Sequence, residues 1–234
     1  MNILAVDTSS ERPSAAIARG GKVLAQVSEG FDLGYSEHLF AELAKLLANS
    51  GVALGDVDVF GAIRGPGSFT GIRVGMAAID GLAFARGKPA VGVSALAAIA
   101  WQHPPGDTAI IPLIDARHGR FYGAVYRREP GRLVALDEAE VREAASWLAV
   151  AQRSPVTFSG PGASKLEAEI GRTAHASLVP VDPVLVQPMV EIIAAGHGEA
   201  LAPLYLLRTS AEENLRARPA ARLSGKETPE EVGR

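Results

Sequence analysis

The stretch Gly65-Pro66-Gly67-Ser68-Phe69-Thr70-Gly71-Ile72-Arg73-Val74-Gly75 follows an apolar run from Val57 to Ile63 and leads into a helical pattern that continues to about Ala85. An apolar strand, a Gly-rich turn and a helix are the building sequence of an α/β fold. Glycine allows positive φ and close backbone approach, Thr70 is a plausible N-cap, and a loop that opens a helix can offer free N–H groups to an anion. The segment departs from known phosphate loops, however. It lacks the Gly-Lys-Ser/Thr ending of a Walker A loop. Gly67 and Gly71 are four positions apart, not the three of a dinucleotide fingerprint. Phosphate contact and tight strand-to-helix packing both remain open, and packing is the better supported.

The helix that follows favours packing. Gly71, Gly75 and Ala78 are small, Ile72, Met76, Ile79 and Ala83 form an overlapping stripe, and Val74, Leu82 and Ala85 carry apolar surface round the cylinder. A helix apolar on more than one side is expected to be buried on more than one side, against its own sheet and against a neighbour, either the Leu39/Leu43 helix or another chain. Arg73 opposes the macrodipole in the first turn. It reads equally as a solvated cation or as one that meets a partner or a phosphate.

Outward from this segment the chain shows a repeated theme. Ile3 to Val6 is an apolar run ending at Asp7, Ala15 to Ala18 a second run, and Gly20-Gly21 a hairpin turn before Val23 to Val27. Ser36 can cap a helix whose Leu39, Leu43, Leu46 and Leu47 share a face. Ala90 to Val93 reads as a strand and Ser94 as the cap of a further helix. Pro104-Pro105-Gly106 then breaks the pattern. Beyond it, Ile110 to Ile114 ends at Asp115, Phe121 to Tyr126 follows, and Pro130-Gly131 turns into Leu133 to Leu136. The two copies start about 108 residues apart. The expected architecture is α/β with duplicated mixed-sheet lobes, residues 1–103 and 104–208, and a disordered tail over 209–234. Within the second lobe the pattern predicts a helix near Glu138 to Ala151 and strands near Val156 to Ser159 and Leu178 to Val181. It also predicts a helix capped by Asp182 with Pro183 at its first position, and a last apolar run from Leu204 to Leu207.

Composition limits the function. With 234 residues the chain is worth about 1.6 average domains. Its 47% hydrophobic content is enough for a sizeable core. The net charge of -3 and the lack of a basic run argue against strong nucleic-acid binding by this chain alone. There is no cysteine, so disulfides, thiolate metal sites and cysteine nucleophiles are excluded. The N-terminus reads as a strand and not a signal peptide, and no apolar run is long enough for a membrane span. The cytoplasm is the default location.

The Gly65–Gly75 segment is similar to the hallmark segment of the TsaB (YeaZ) family. The resemblance extends to Ile3-Leu-Ala-Val-Asp-Thr-Ser9, Ser36-Glu37-His38, Val91-Gly-Val-Ser-Ala-Leu96, Asp115-Ala116-Arg117 with Tyr122, and Pro203-Leu-Tyr-Leu-Leu-Arg208. It covers most of residues 1–208 and is most specific in the first hundred. It implies the actin-like, sugar-kinase-like (ASKHA, ribonuclease H-like) fold, in which strand-end aspartates, here Asp7 and Asp115, flank phosphates and metal. It also implies a subunit without independent catalysis. Such a subunit would partner the related catalytic subunit TsaD, with the ATPase TsaE joining, in moving a threonylcarbamoyl group from its adenylate to adenosine 37 of tRNA. Contact with tRNA would come only through the complex, and the chain would self-associate when alone. The partner interface expected on this basis comprises Ser36, His38, Leu39, Leu43, Gly71, Ile72, Arg73, Gly75, Met76 and Ile79. A large charged residue at Gly75 or Met76 is then expected to abolish docking without unfolding the chain.

Catalytic alternatives are weaker. The catalytic relative holds a metal with two histidines one helical turn apart, whereas His38 has no second His near it. The five histidines (38, 103, 118, 175 and 197) never pair at metal-ligand spacing, so no metal is expected. No catalytic residue is assigned. Asp7, Thr8 and Ser9, with Asp115, are the candidates for nucleotide contact, and ATP or ADP with magnesium at the partner interface is the only cofactor expected. The bland reading is a strand-end turn satisfying local donors, and for Asp115 with Arg117 a local salt bridge or solvated turn. A stand-alone ATP-dependent phosphotransferase is the alternative function. It would need an adenosine-binding loop, for which Ser159-Gly-Pro-Gly-Ala163 is a short candidate.

Overall fold

The computed structural model describes residues 1–28 and 36–206, with the side chains of Ser36 and Glu37 excepted. The first lobe opens with β1 (Asn2–Asp7), β2 (Ser14–Arg19) and β3 (Lys22–Val27), continues through α1 (Ser36–Ser50), β4 (Val59–Gly65) and α2 (Phe69–Arg86), and closes with β5 (Ala90–Ser94) and α3 (Ala95–Trp101). The second lobe runs through β6 (Ala109–Asp115), β7 (Arg120–Glu129), β8 (Arg132–Glu143), α4 (Ala144–Leu148), β9 (Val156–Ser159), α5 (Pro161–Ser164), α6 (Glu167–Arg172) and β10 (Ala176–Leu178). Two elements follow, α7 (Val186–Ala194) and β11 (Glu199–Ala200).

The duplication is direct in the topology. One sheet has the order β11-β5-β4-β1-β2-β3 and the other β10-β9-β6-β7-β8. In both, an Asp-terminated strand pairs antiparallel with the hairpin that follows it and parallel with the strand beyond. This is the two-lobed, actin-like arrangement, and the sheets divide at Pro104–Gly106. The last two elements do not stay with the second lobe, however. β11 pairs with β5, and α7 buries Val186, Met189 and Val190 in one core with Ile3 and Ala5 of β1 and Ile99 of α3. Part of the 104–208 segment therefore completes the first lobe.

Three local expectations are corrected. Glu138–Glu143 is strand, not helix, because β8 pairs with β7 along its whole length, from Glu129↔Arg132 to Arg120↔Glu143. Tertiary pairing overrides the helix preference of Glu and Ala there. Asp182 does not cap α7, which starts at Val186. Its Oδ1 instead accepts from the Val184 N–H at 2.8 Å, a turn ahead of the helix. The strand expected at Leu178–Val181 lies over Ala176–Leu178, where parallel pairing with β9 sets its register. Residues 209–234 and the side chain of Ser36 lie outside the described residues.

Candidate functional site: the end of β1 and the two outer helices

The end of β1 and the start of α2 are locked together. Asp7 is fully buried, and its Oδ1 accepts from the backbone N–H of Ser9 at 2.8 Å and from its hydroxyl at 2.7 Å. The Thr8 hydroxyl donates to the carbonyl of Gly71 at 2.6 Å, and the Ser68 N–H donates to the carbonyl of Ser9 at 2.8 Å. The N-cap of α2 is Ser68, not Thr70: its Oγ accepts from the Gly71 N–H at 3.2 Å. Gly71 is required by this approach, since a Cβ there would stand 1.9 Å from the Thr8 carbonyl oxygen. A Cβ on Gly75 would stand 2.3 Å from the Thr8 hydroxyl oxygen. The glycines of the quoted segment thus press a helix onto a strand end.

Apart from Asp7 Oδ2, which is buried without a hydrogen-bond partner, the candidate nucleotide groups are engaged within the chain. Thr8 and Ser9 are buried with Asp7. Asp115 is partly exposed, but its Oδ2 takes Lys165 Nζ at 2.6 Å and its Oδ1 accepts from the backbone N–H of Arg117 at 2.7 Å. The ion pair is therefore with Lys165, and Arg117 bonds to Asp115 through its backbone N–H. Lys165 holds the Asp115 carboxyl below its usual range. The loop at Ser159–Ala163 is closed too, because a Cβ on Gly162 would stand 2.7 Å from the Leu113 carbonyl. As placed, these groups do not fit a magnesium nucleotide. Among the described residues no three His, Asp or Glu side chains gather where they could hold a metal.

Asp7 carries a cost. Its Oδ2 is buried with no hydrogen-bond partner, and burial pushes its pKa up against the opposing bonds from the serines. A folded-state pKa above the unfolded value gives a stabilisation that is complete below that value and is lost as pH rises through the folded pKa. Asp7→Asn removes the titration. Its melting temperature relative to the parent is expected to climb as pH rises from the ordinary carboxylate range and to level off above the folded pKa of Asp7, as measured by thermal unfolding at a series of pH values. A gap that does not change with pH would show that Asp7 titrates alike in the folded and unfolded chains, so that its pKa is not raised by folding.

The candidate interface residues divide. Leu39, Leu43, Ile72, Met76 and Ile79 belong to one internal core with Leu4, Val6, Ile17 and Phe60, and Gly71 and Gly75 lie under Thr8. These residues are packed within the chain itself, and of them Leu39 also borders an open groove. His38 and Arg73 are exposed. Between α1 and α2 lies an open groove lined by Leu39, Phe40, Arg73, Val74, Ala77 and Ala78. Phe40, Phe69 and Phe84 stand out at 51%, 42% and 88% exposure. The sequence reading named Val74 as outward apolar surface but missed Phe40, Phe69, Ala77 and Phe84. The signal was present, because Phe69, Arg73, Ala77, Gly81 and Phe84 recur at helical spacing on the face opposite Ile72 and Ile79.

With this geometry in hand, the likeness to known proteins is informative. The family model for TsaD, tRNA N6-adenosine threonylcarbamoyltransferase, matches residues 32–179. The chain is 37% identical over 146 residues to the tRNA threonylcarbamoyladenosine biosynthesis protein TsaB of Escherichia coli K12, a match covering 60% of this chain and 61% of that one. It thus spans about three fifths of that relative's length. Bacillus subtilis TsaB is 30% identical over 162 residues, covering 68% of this chain and 71% of the relative. The solved structure of YeaZ from Pseudomonas aeruginosa superposes with a TM-score of 0.70 at 28% identity, over 88% of this chain and 99% of that one. A duplicated actin-like fold and sequence likeness over most of a full-length relative agree, and the chain belongs to the TsaB family.

Proposed function

We propose that the chain is a non-catalytic subunit of tRNA threonylcarbamoyladenosine synthesis, which docks its α1–α2 face on a TsaD homologue and supports modification of tRNA adenosine 37. One observation carries this reading: α2 buries one side in the chain and leaves Phe69, Ala77 and Phe84 exposed on another, in company with Arg73 and Asp80. Exposed large apolar side chains in a contiguous patch mark an interaction surface. Gly81 adds to the case. It sits exposed in mid-helix with open space where a Cβ would be, at a cost of about 1 kcal/mol relative to alanine. Close approach of a second backbone would account for it. The engaged states of Asp7 and Asp115 support a role without independent catalysis, against the stand-alone phosphotransferase. In this reading TsaE joins the assembly, tRNA is reached through it, and the chain works in the cytoplasm. Alone, the chain pairs with a second copy through the same face. Any ATP or ADP with magnesium is placed at the joint with the partner, which would have to supply the ligands that Asp7 and Asp115 do not. No helix among the described residues is long and apolar enough to cross a membrane.

The test is co-purification with the TsaD homologue of the same genome. Ala77→Glu puts a good helix former at an exposed site and so leaves the fold intact. In the groove the added side chain would fill space a partner needs and, four residues after Arg73, would take up that cation, so binding is expected to weaken by at least about 100-fold. A complex that forms normally with Ala77→Glu, or appreciable ATP hydrolysis by the chain alone, would overturn the proposal.

A further inference from the structure

At the mouth of the groove three exposed side chains are already ordered. The Arg73 guanidinium lies 3.8 Å from the centroid of the Phe69 ring, one turn earlier on α2. Its Nε donates to the hydroxyl of Tyr205 at 2.9 Å, and the Phe69 and Tyr205 rings stand 5.3 Å apart. Tyr205 does not come from α2. It arrives on the segment after β11, which is held down where the Leu204 N–H donates to the carbonyl of Arg64 at 2.7 Å. Arg64 itself pairs with Glu199 of β11 at 2.9 Å.

Arg73 makes no ion pair among the described residues. Its charge is met by ring faces and one hydroxyl, and it lines the apolar groove. With Ser68 as N-cap, Arg73 is the fifth residue of α2 and lies past the first turn, where the macrodipole acts, so its role is read from its contacts. Aromatic and arginine side chains dominate binding energy at interfaces, and an anchor fixed before binding loses less freedom on docking.

We infer that Arg73 is the charged anchor of the docking face, that Phe69 and Tyr205 position it, and that it meets a carboxylate on an otherwise apolar helix of the partner. This rests on the proposed docking with the TsaD homologue and adds the chemistry of the contact. The third wall of the interface is then the C-terminal strap, not either outer helix. Charge complementarity selects the occupant: Arg73, which has no ion pair among the described residues, suits a partner helix that is largely apolar and bears an Asp or Glu opposite it, while Asp80 lies two turns further along the same face. Arg73 also offers the planar fork that a carboxylate fits, which lysine does not reproduce.

The affinity of the full chain for the TsaD homologue should be measured by calorimetry at low and high salt, with Arg73→Gln, Arg73→Lys, Tyr205→Phe and Ala77→Glu. The parent is expected to weaken as salt rises. Arg73→Gln should bind at least about 10-fold more weakly at low salt and lose most of that salt dependence. Arg73→Lys should stay well short of the parent. Tyr205→Phe, which keeps the ring and removes only the hydroxyl, should weaken binding about 3-fold or more with an unchanged melting temperature. Parent-like affinity and salt dependence in Arg73→Gln would overturn the inference. If Ala77→Glu abolishes binding in that same series, the docking proposal still stands; if Ala77→Glu binds normally, the docking proposal falls first.

Discussion

Gly71→Ala is expected to cost about 3 kcal/mol or more of folding stability, although it adds a single methyl group. The added Cβ would stand 1.9 Å from the Thr8 carbonyl oxygen and 2.8 Å from its carbon. Both are backbone atoms, so no rotamer change relieves the clash. α2 would have to lift off β1, breaking the Thr8 hydroxyl bond to the Gly71 carbonyl and disturbing the Ser68 cap. Overpacking in a closed core costs about 1–3 kcal/mol, and more when backbone must move; the lost bonds add to that. Denaturant unfolding is the direct measure, and a loss under about 1 kcal/mol would show that the strand end yields easily. The same geometry changes how interface mutants are read. A large charged residue at Gly75 collides with the Thr8 side chain, so loss of a complex in such a variant reports on the fold. Ala77 has no such conflict.

Trp147→Ala carries the second large effect, in the other lobe. Trp147 is fully buried, and its indole N–H donates to the carbonyl of Phe121 at 3.0 Å. It fills the space over Gly123, where a Cβ would stand 2.6 Å from the indole ring. It packs in one core with Ile111, Leu113 and Phe158, and Arg142 covers the ring at 4.5 Å. Truncation leaves a ring-sized cavity and a buried carbonyl without its donor, at about 3–5 kcal/mol. For a chain of this size that lowers the melting temperature by roughly 10 °C. A drop of only a few degrees would mean that α4 collapses into the space. None of the groove residues lies in this lobe, so a folded Trp147→Ala chain is expected to keep its affinity for the partner.

Much of the architecture could be read from the residues because it is written twice. Two apolar runs ending at Asp7 and Asp115, each followed by a hairpin, define equivalent sheets. The misreadings share a cause, which is that local preference competes with distant pairing. Glu138 to Glu143 has the composition of a helix and is strand because β7 lies beside it. Asp182 and Pro183 look like a helix start, yet Asp182 turns the chain before α7 begins. For the candidate interface, the two helices were legible, and the spacing of Phe69, Arg73, Ala77, Gly81 and Phe84 marks the outward face, but the apolar residues round α2 obscure which side the core takes. The place of Tyr205 could not be foreseen either, since its meeting with Arg73 depends on a chain reversal far along the sequence.

The return of α7 and β11 to the first sheet has a consequence for biosynthesis. The first lobe is discontinuous in sequence: the whole second sheet is translated between its opening strands and the elements that complete it. Met189 and Val190 share a core with Ile3 and Ala5, so the first sheet cannot be finished until α7 and β11 have left the ribosome. The intervening lobe, contiguous from β6 to β10, has no such wait. Of the two lobes, the one begun first is therefore closed last, and Tyr205 reaches Arg73 only after that closure.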